Sequence, residues 1–351
     1  MKLLITLDFP PQRGGIQRYL YDSVSAHYHA TDRVVYATNR TNAQPHRAGT
    51  TPVIELNSLS NTKFIRIIAL TGYLFIHRHH ISSIECGNVY AAIAAWLATP
   101  FIKRPYRVYT YGTELMGLKG RTIKQTLLKS VLGGAQGLFV LGDYTHSLLT
   151  PLKRLPPVTH LPARLHQSYL CKAAEALERY SRPREPFTIL SVGRFVSHKG
   201  QLIVLDALRR LPPAINWRLQ LVGSGPLQKA LQDYCTQHNL SRRVTIQSGL
   251  EDEQLHQCYA QAHVLVLASL EQGSGTEGFG IVLLEAMAHG LPIIASRCGG
   301  IPQVVDNGKF ATLVEPGNVE QLAAALIAAA SEPTTNRTAA ATEHLRSHYV
   351  Y

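Results

Sequence analysis

Several kinds of protein are argued against by what this chain lacks. No run of about eighteen apolar residues occurs, so no bilayer-spanning helix is expected. The five cysteines, Cys86, Cys171, Cys235, Cys258 and Cys298, are odd in number, scattered, and never spaced C-x-x-C. That argues against a disulfide framework or a zinc site and for buried, inert thiols in a reducing cytoplasm. The opening MKLLITLDFPP has one lysine and an apolar stretch too short for a secretory leader, so it reads as a first β-strand. No internal repeat, low-complexity tract, zinc finger, helix-turn-helix or aromatic-rich sheet motif is present, which removes the usual signatures of a nucleic-acid binder. An Asp-x-Asp pair at a strand end is also missing. Glu251-Asp252-Glu253 reads as the acidic start of a solvated helix, and His77-Arg-His-His80 as a basic helix end, so no metal is expected.

At 351 residues, with 45% hydrophobic and 17% charged content, the chain has room for two soluble domains with sizeable cores. Its net charge of +12 is unevenly placed. Residues 1–185 hold 23 Lys/Arg against 10 Asp/Glu, so +13, while residues 186–351 hold 12 against 13, so −1. A basic first half points to an anionic partner such as a membrane surface, nucleic acid or a lipid phosphate, with a merely solvated face as the alternative. Its cations cluster around Lys63-Arg66, Lys103-Arg104-Arg107, Lys119-Arg121-Lys124-Lys129 and Lys153-Arg154.

Short β-rich runs alternate with helical patterns. Strands are expected at Leu3–Leu7, Arg33–Ala37, Ile81–Glu85, Tyr106–Thr110 and Gly137–Leu141. Helices are expected at Ile16–His29, Thr62–Arg78, Val89–Ala98 and Thr122–Leu132. The series restarts at Phe187–Gly193, Trp217–Gly223, Val244–Gln247, His263–Ala268 and Pro292–Ala295. Such alternation means parallel sheets with helices on both faces. The stretch from Arg179 to Pro186 has linker chemistry. The expected fold is therefore α/β, two doubly wound Rossmann-like domains, residues 1–180 and 181–351. Ligands in such sheets sit at the carboxyl ends of strands, which places the site in a cleft between the two.

The most informative run is Glu277-Gly-Phe-Gly-Ile-Val-Leu-Leu-Glu285. Its first carboxylate lies in a glycine-rich loop, its second in an almost entirely apolar helix from Ile281 to His289, closed by Gly290 and Pro292. A carboxylate in such a helix is costly unless it is hydrogen-bonded. The loop opens at a helix N-terminus, where free N–H groups favour an anion. A diphosphate with a hydroxyl-rich ring on each side fits that layout. Gly14-Gly15 opens the first helix and lets a ligand approach the backbone. Gly193-Arg194 through Lys199-Gly200 lacks the Walker spacing but sets two cations beside a strand end, suited to a leaving diphosphate. Gly223-Ser-Gly225-Pro226 follows the next strand, with proline well placed at the first helical position. Each loop has a bland reading as a plain turn; their recurrence at equivalent strand ends is the signal.

Together with Tyr111-Gly-Thr-Glu114, Gly290-Leu-Pro and Gly299-Gly300-Ile-Pro, these motifs resemble the retaining glycosyltransferases of family four, of glycosyltransferase B architecture. The similarity runs from about residue 1 to 330. By that resemblance, Arg194 and Lys199 bind the donor diphosphate, Glu277 accepts hydrogen bonds from the donor sugar, and Glu285 binds the nucleotide ribose. Backbone N–H groups of Gly278, Phe279, Gly280 and Ile281 contact sugar and phosphate, and Gly223 and Gly225 complete the donor side. Gly14 and Gly15 touch the diphosphate from the other domain. Tyr111, Glu114 and Arg18 fall on the acceptor side, although the family usually has His where Tyr111 stands; Tyr can still donate one hydrogen bond. A terminal helix in Thr335–Tyr351 is expected to return to the first domain.

The expected reaction moves a hexose or related sugar from a nucleotide diphosphate to a hydroxyl acceptor with retention, on a lipid-linked or cell-envelope glycan. The nucleotide sugar is a substrate, and no cofactor is implied. The expected place is the cytoplasm, peripheral to an anionic membrane surface, with no nucleic acid as partner; the oligomeric state is open. A sugar-nucleotide epimerase or phosphorylase, or a silent partner subunit of the same architecture, would share the donor motifs. A basic nucleic-acid binder would leave Glu277, Glu285 and the glycine loops unexplained.

Overall fold

The computed structural model describes residues 1–12, 14–38, 46–58, 62–118, 122–167, 169–170, 185–271, 275–331 and 335–351. The chain divides into two compact units, Met1–Ala163 and Arg164–Tyr351. The boundary expected near residue 180 lies outside the described residues, as do Lys119, Arg121 and Cys171.

The first unit runs β1 (Lys2–Thr6), α1 (Gly15–His27), β2 (Arg33–Thr38), β3 (His46–Ala48), β4 (Thr51–Asn57), α2 (Lys63–Ile76), β5 (Ser83–Cys86), α3 (Val89–Ile102), β6 (Tyr106–Thr110), α4 (Thr113–Met116), α5 (Ile123–Gly133), β7 (Gly137–Val140), α6 (Asp143–Ser147) and β8 (Val158–His160). Its eight strands lie in the order β3-β4-β2-β1-β5-β6-β7-β8. Among the described residues only the β3–β4 pair is antiparallel. Strands such as Leu3-Leu4-Ile5 are buried throughout, as a sheet covered on both faces requires. Asn88 caps α3, its Oδ1 accepting from the Ala91 N–H at 2.8 Å. That helix continues past its expected end at Ala98. Pro100 sits in the last turn, where its missing N–H removes one ladder bond, and Lys103 closes the helix in the left-handed conformation at φ 49°.

In the second unit six parallel strands, β9 (Phe187–Val192), β10 (Trp217–Val222), β11 (Val244–Gln247), β12 (Val264–Leu267), β13 (Ile293–Ser296) and β14 (Thr312–Val314), lie in the order β11-β10-β9-β12-β13-β14. The chain winds outward from β9 in one direction and from β12 in the other. The strand order therefore reverses between β9 and β12, and between β1 and β5 in the first unit. Those two crevices are where an open parallel sheet takes a ligand. The terminal helix Thr335–His348 packs within the second unit, with Thr342 Oγ1 donating to the Met287 carbonyl at 2.7 Å. Tyr349 beyond it meets Phe279 edge-on and accepts from the Leu165 N–H at 2.8 Å.

Candidate active site

Both loops that leave the second unit's reversal point carry a charge. After β9 a 3-10 turn, Ser197–Lys199, delivers Lys199; after β12 the chain reaches Glu277. The Lys199 Nζ donates to Glu277 Oε2, and Ser269 Oγ donates to the same oxygen at 3.4 Å. Glu277 is only 8% exposed. A carboxylate so placed is costly without a partner, and Lys199 supplies the counter-charge. His198 beside them is buried, and burial, then the Lys199 charge, lowers its pKa and favours the neutral imidazole. Cys298, whose Sγ donates to the Ser269 carbonyl at 3.2 Å, is pushed up to about 12 by burial and then by Glu277, so it stays a thiol.

Glycine is what lets these loops close on one another. Gly200 sits at φ 67°, and a Cβ there would meet the Ala268 carbonyl oxygen at 1.9 Å. A Cβ on Gly223 would lie 2.0 Å from the Gly193 carbonyl oxygen, and one on Gly225 2.5 Å from that of Phe195. The Phe195 N–H donates to the Ser224 carbonyl at 2.9 Å, which ties the β9 and β10 loops together. Gly299 and Gly300, after β13, support the glutamate loop in the same way. Their added Cβ atoms would meet the carbonyl oxygens of Glu277 at 2.1 Å and Gly278 at 2.3 Å, and the Gly300 N–H donates to the Glu277 carbonyl at 2.8 Å.

Gly280 precedes the helix Ile281–Ala288 in the left-handed conformation, φ 92°. The Leu283 N–H donates to the Gly280 carbonyl at 2.9 Å, and a helix N-terminus of this kind favours an anion. Phe279 itself is buried, so its side chain serves packing. Glu285, one turn into the helix, accepts from Tyr259 Oη at 2.6 Å, and the Tyr259 phenol is raised well above its ordinary pKa by burial and then by Glu285. Arg194 is exposed at the strand end, where its carbonyl accepts from Gln201 Nε2 at 3.0 Å. The structure thus brings Lys199 and Glu277 into contact and supports them with Gly223, Gly225 and the Gly278–Ile281 turn.

The other expected residues lie in the first unit. Gly14 precedes α1 at φ 154°, and Gly14 and Gly15 are exposed at the end of the β1 loop. Arg18 pairs with Asp22, Nε to Oδ2 at 3.0 Å. The single hydrogen bond that Tyr111 can donate goes to the Gly87 carbonyl at 2.7 Å. Burial, then Tyr19 and Tyr109, keeps its phenol well above the ordinary pKa. Glu114 accepts from the Tyr111 N–H, and burial raises its pKa against the pull of backbone donors. Asp8, unnoticed in the sequence as a site residue, bridges the crevice between β1 and β5: its Oδ2 accepts from Asn88 Nδ2 at 2.7 Å and its Oδ1 from Gln17 Nε2 at 3.4 Å. Tyr259, Ser269 and His198 were equally silent, because their partners lie on other loops and helices.

The family described as "Glycosyl transferases group 1" matches residues 173–344. A GDP-mannose-dependent alpha-(1-6)-phosphatidylinositol monomannoside mannosyltransferase from Mycolicibacterium smegmatis is 30% identical over 92% of this chain and 87% of its own. An MMP alpha-(1->4)-mannosyltransferase from Mycolicibacterium hassiacum is also 30% identical, over 80% of this chain and 62% of its own. Among solved structures, sucrose-phosphate synthase from Thermosynechococcus elongatus superposes with a TM-score of 0.82 at 19% identity, covering 99% of this chain and 95% of that one. Anabaena HepE in complex with UDP and glucose gives 0.81 at 18% identity, over 100% and 96%.

Proposed function

The chain belongs to the group 1 glycosyl transferases, and on that premise we propose that it is a retaining mannosyltransferase that draws on GDP-mannose and glycosylates a lipid-linked acceptor. The observation that carries the donor half is the Lys199–Glu277 pair at the reversal point of the second sheet, beside the Gly278–Ile281 turn. Mannose, guanosine and the lipid are supported by the Mycolicibacterium smegmatis relative, whose similarity spans most of both chains.

Departure of the diphosphate builds negative charge on its bridging oxygen and oxocarbenium character on the sugar ring. Preorganised donors act most where that charge develops. Arg194, Lys199 and the N–H groups at the start of the Ile281–Ala288 helix are assigned to it. Glu277 accepts hydrogen bonds from the sugar hydroxyls and fixes the ring, and Glu285 holds the ribose. The acceptor hydroxyl attacks from the face the diphosphate leaves, its proton passing to a phosphate oxygen of the departing group. The new glycosidic bond forms as the old carbon–oxygen bond breaks, and configuration is kept. A double displacement would need a carboxylate on the opposite ring face; no residue is assigned to that role.

Incubation with GDP-mannose and vesicles bearing phosphatidylinositol monomannoside tests the reading. The expected product is that lipid with one added hexose in α configuration, formed with an equal amount of GDP. Conversion of GDP-mannose to another sugar nucleotide without any glycolipid would establish an epimerase instead. Donor binding with no turnover on any acceptor would establish a silent partner.

A further inference from the structure

We propose that the outer face of α2 and α3 in the first unit docks on an anionic lipid bilayer, with Phe64, Ile68, Phe75, Ile76, Leu97 and Phe101 entering the interface. The inference deepens the lipid-linked reading of the acceptor and rests on it for the choice of partner. A polar solvent gives no reason to expose such side chains together: Phe64 and Ile76 are 71% exposed and Phe101 is 67% exposed. They form one surface. On α2, Phe64, Ile68 and Phe75 recur at helical spacing along a single stripe, and Leu97 and Phe101 stand one turn apart on α3. Phe75 and Phe101 meet edge-to-face, ring centroids 6.0 Å apart. Between the helices lies an open cavity of about 340 Å³ lined by Ile68, Gly72, Phe75, Leu97 and Phe101. Gly72 forms its floor, where an added Cβ would touch nothing within 4 Å.

The charge around this surface identifies the occupant. From Leu56 to Thr113 the sequence holds six Lys/Arg, namely Lys63, Arg66, Arg78, Lys103, Arg104 and Arg107, and one carboxylate, Glu85. Glu85 is buried and paired with Lys2, Nζ to Oε1 at 3.1 Å, so it offsets nothing at the surface. Arg66 is buried as well, its Nε donating to the Ala37 carbonyl at 2.8 Å. Four of the others, Lys63, Arg78, Lys103 and Arg104, lie at the ends of the two helices. Lys63 starts α2, with its Nζ 3.9 Å from the Tyr90 ring centroid. Arg78 follows α2, its guanidinium 4.7 Å from that of Phe75, and exposed Lys103 and Arg104 follow α3. Aromatic and aliphatic side chains with cations at the helix ends, and no exposed acid among the described residues from Lys63 to Arg107, suit the boundary between acyl chains and anionic headgroups. At fourteen residues each, α2 and α3 are too short to cross a bilayer, and no described helix is long and apolar enough to do so, so the contact is with its surface.

Flotation of the full chain with phosphatidylcholine vesicles, with and without phosphatidylinositol, tests this. The protein is expected to float with the anionic vesicles at low salt and to be released at high salt. Phe64→Ser with Phe101→Ser should lower the partition coefficient at least about tenfold. Lys103→Glu with Arg104→Glu should lower it roughly thirtyfold or more. Both double variants should keep the wild-type melting curve and its upward shift with GDP-mannose, since none of the four residues touches the donor side. Failure of the wild type to float at low salt, or flotation of both variants like wild type, would overturn the proposal. So would a loss of dimer mass on light scattering in the phenylalanine variant without lipid, which would assign the face to a second copy. Absence of the donor-induced shift in all proteins would count against the nucleotide-sugar reading and leave the flotation result standing.

Discussion

Glu277 and Glu285 lie eight positions apart in the sequence, yet the fold gives them different surroundings. Glu277 is held by a cation, Lys199, and by Ser269. Glu285 is held by a neutral phenol, Tyr259, at 2.6 Å. In the proposed reaction the first exchanges its ionic partner for sugar hydroxyls, while the second is oriented by the Tyr259 hydroxyl. Tyr259 therefore acts as a positioning residue. Tyr259→Phe removes a bond to a charged acceptor; if about half of its roughly 1.5–3 kcal/mol is felt by the donor, KM is expected to rise about three- to tenfold while kcat changes less than about twofold. Steady-state kinetics on varied donor checks this, and an unchanged KM would show that Glu285 needs no such anchor. The apolar helix around Glu285 called for a hydrogen-bond partner, but the sequence did not say which residue supplies it. Tyr259 stands on the helix Asp252–Gln261, and nothing in its local pattern marks it out from a core tyrosine.

The βα loops are where the sequence was most readable. A strand pattern ending in glycine picked out the Gly193 and Gly223 loops, while the Glu277 loop was marked by its own Glu-Gly-Phe-Gly run. What the pattern left out is how tightly the loops touch: Gly299 leaves no room for a side chain because the Glu277 carbonyl lies against it. Gly249 offers a control, since it has φ 72° but no heavy atom within 4 Å of an added Cβ. Gly249→Ala should cost only the left-handed strain, about 1–2 kcal/mol, or roughly 2–8 °C in melting temperature. Gly299→Ala should lose more than that and also weaken donor binding at least about tenfold, because the glutamate loop must move. Equal melting losses, with donor affinity intact in both, would mean that the loop tolerates the displacement. Elements without a strong local signal were passed over: β4 carries Pro52, and β14 spans only Thr312–Val314. Their places come from pairing with neighbouring strands, which no local window contains.

Over the whole molecule, charge separates along with fold. The unit Met1–Ala163 holds 18 Lys/Arg against 7 Asp/Glu, so +11, and the unit Arg164–Tyr351 holds 17 against 16, so +1. Composition announced that asymmetry, but only the structure shows that part of the basic sequence lies at the ends of helices that bear an exposed apolar face while Arg66 is spent inside the core. The second unit, nearly neutral overall, brings Lys199 and Glu277 together at one crevice. That crevice is the centre of the account, and alanine substitution of Arg194, Lys199 and Glu277, read as kcat/KM for transfer from the nucleotide sugar, tests it most directly. Each variant is expected to melt cooperatively and to lose at least about tenfold in kcat/KM, because each removes a group assigned to charge or ring geometry in the transition state. Wild-type rates in all three folded variants would contradict it.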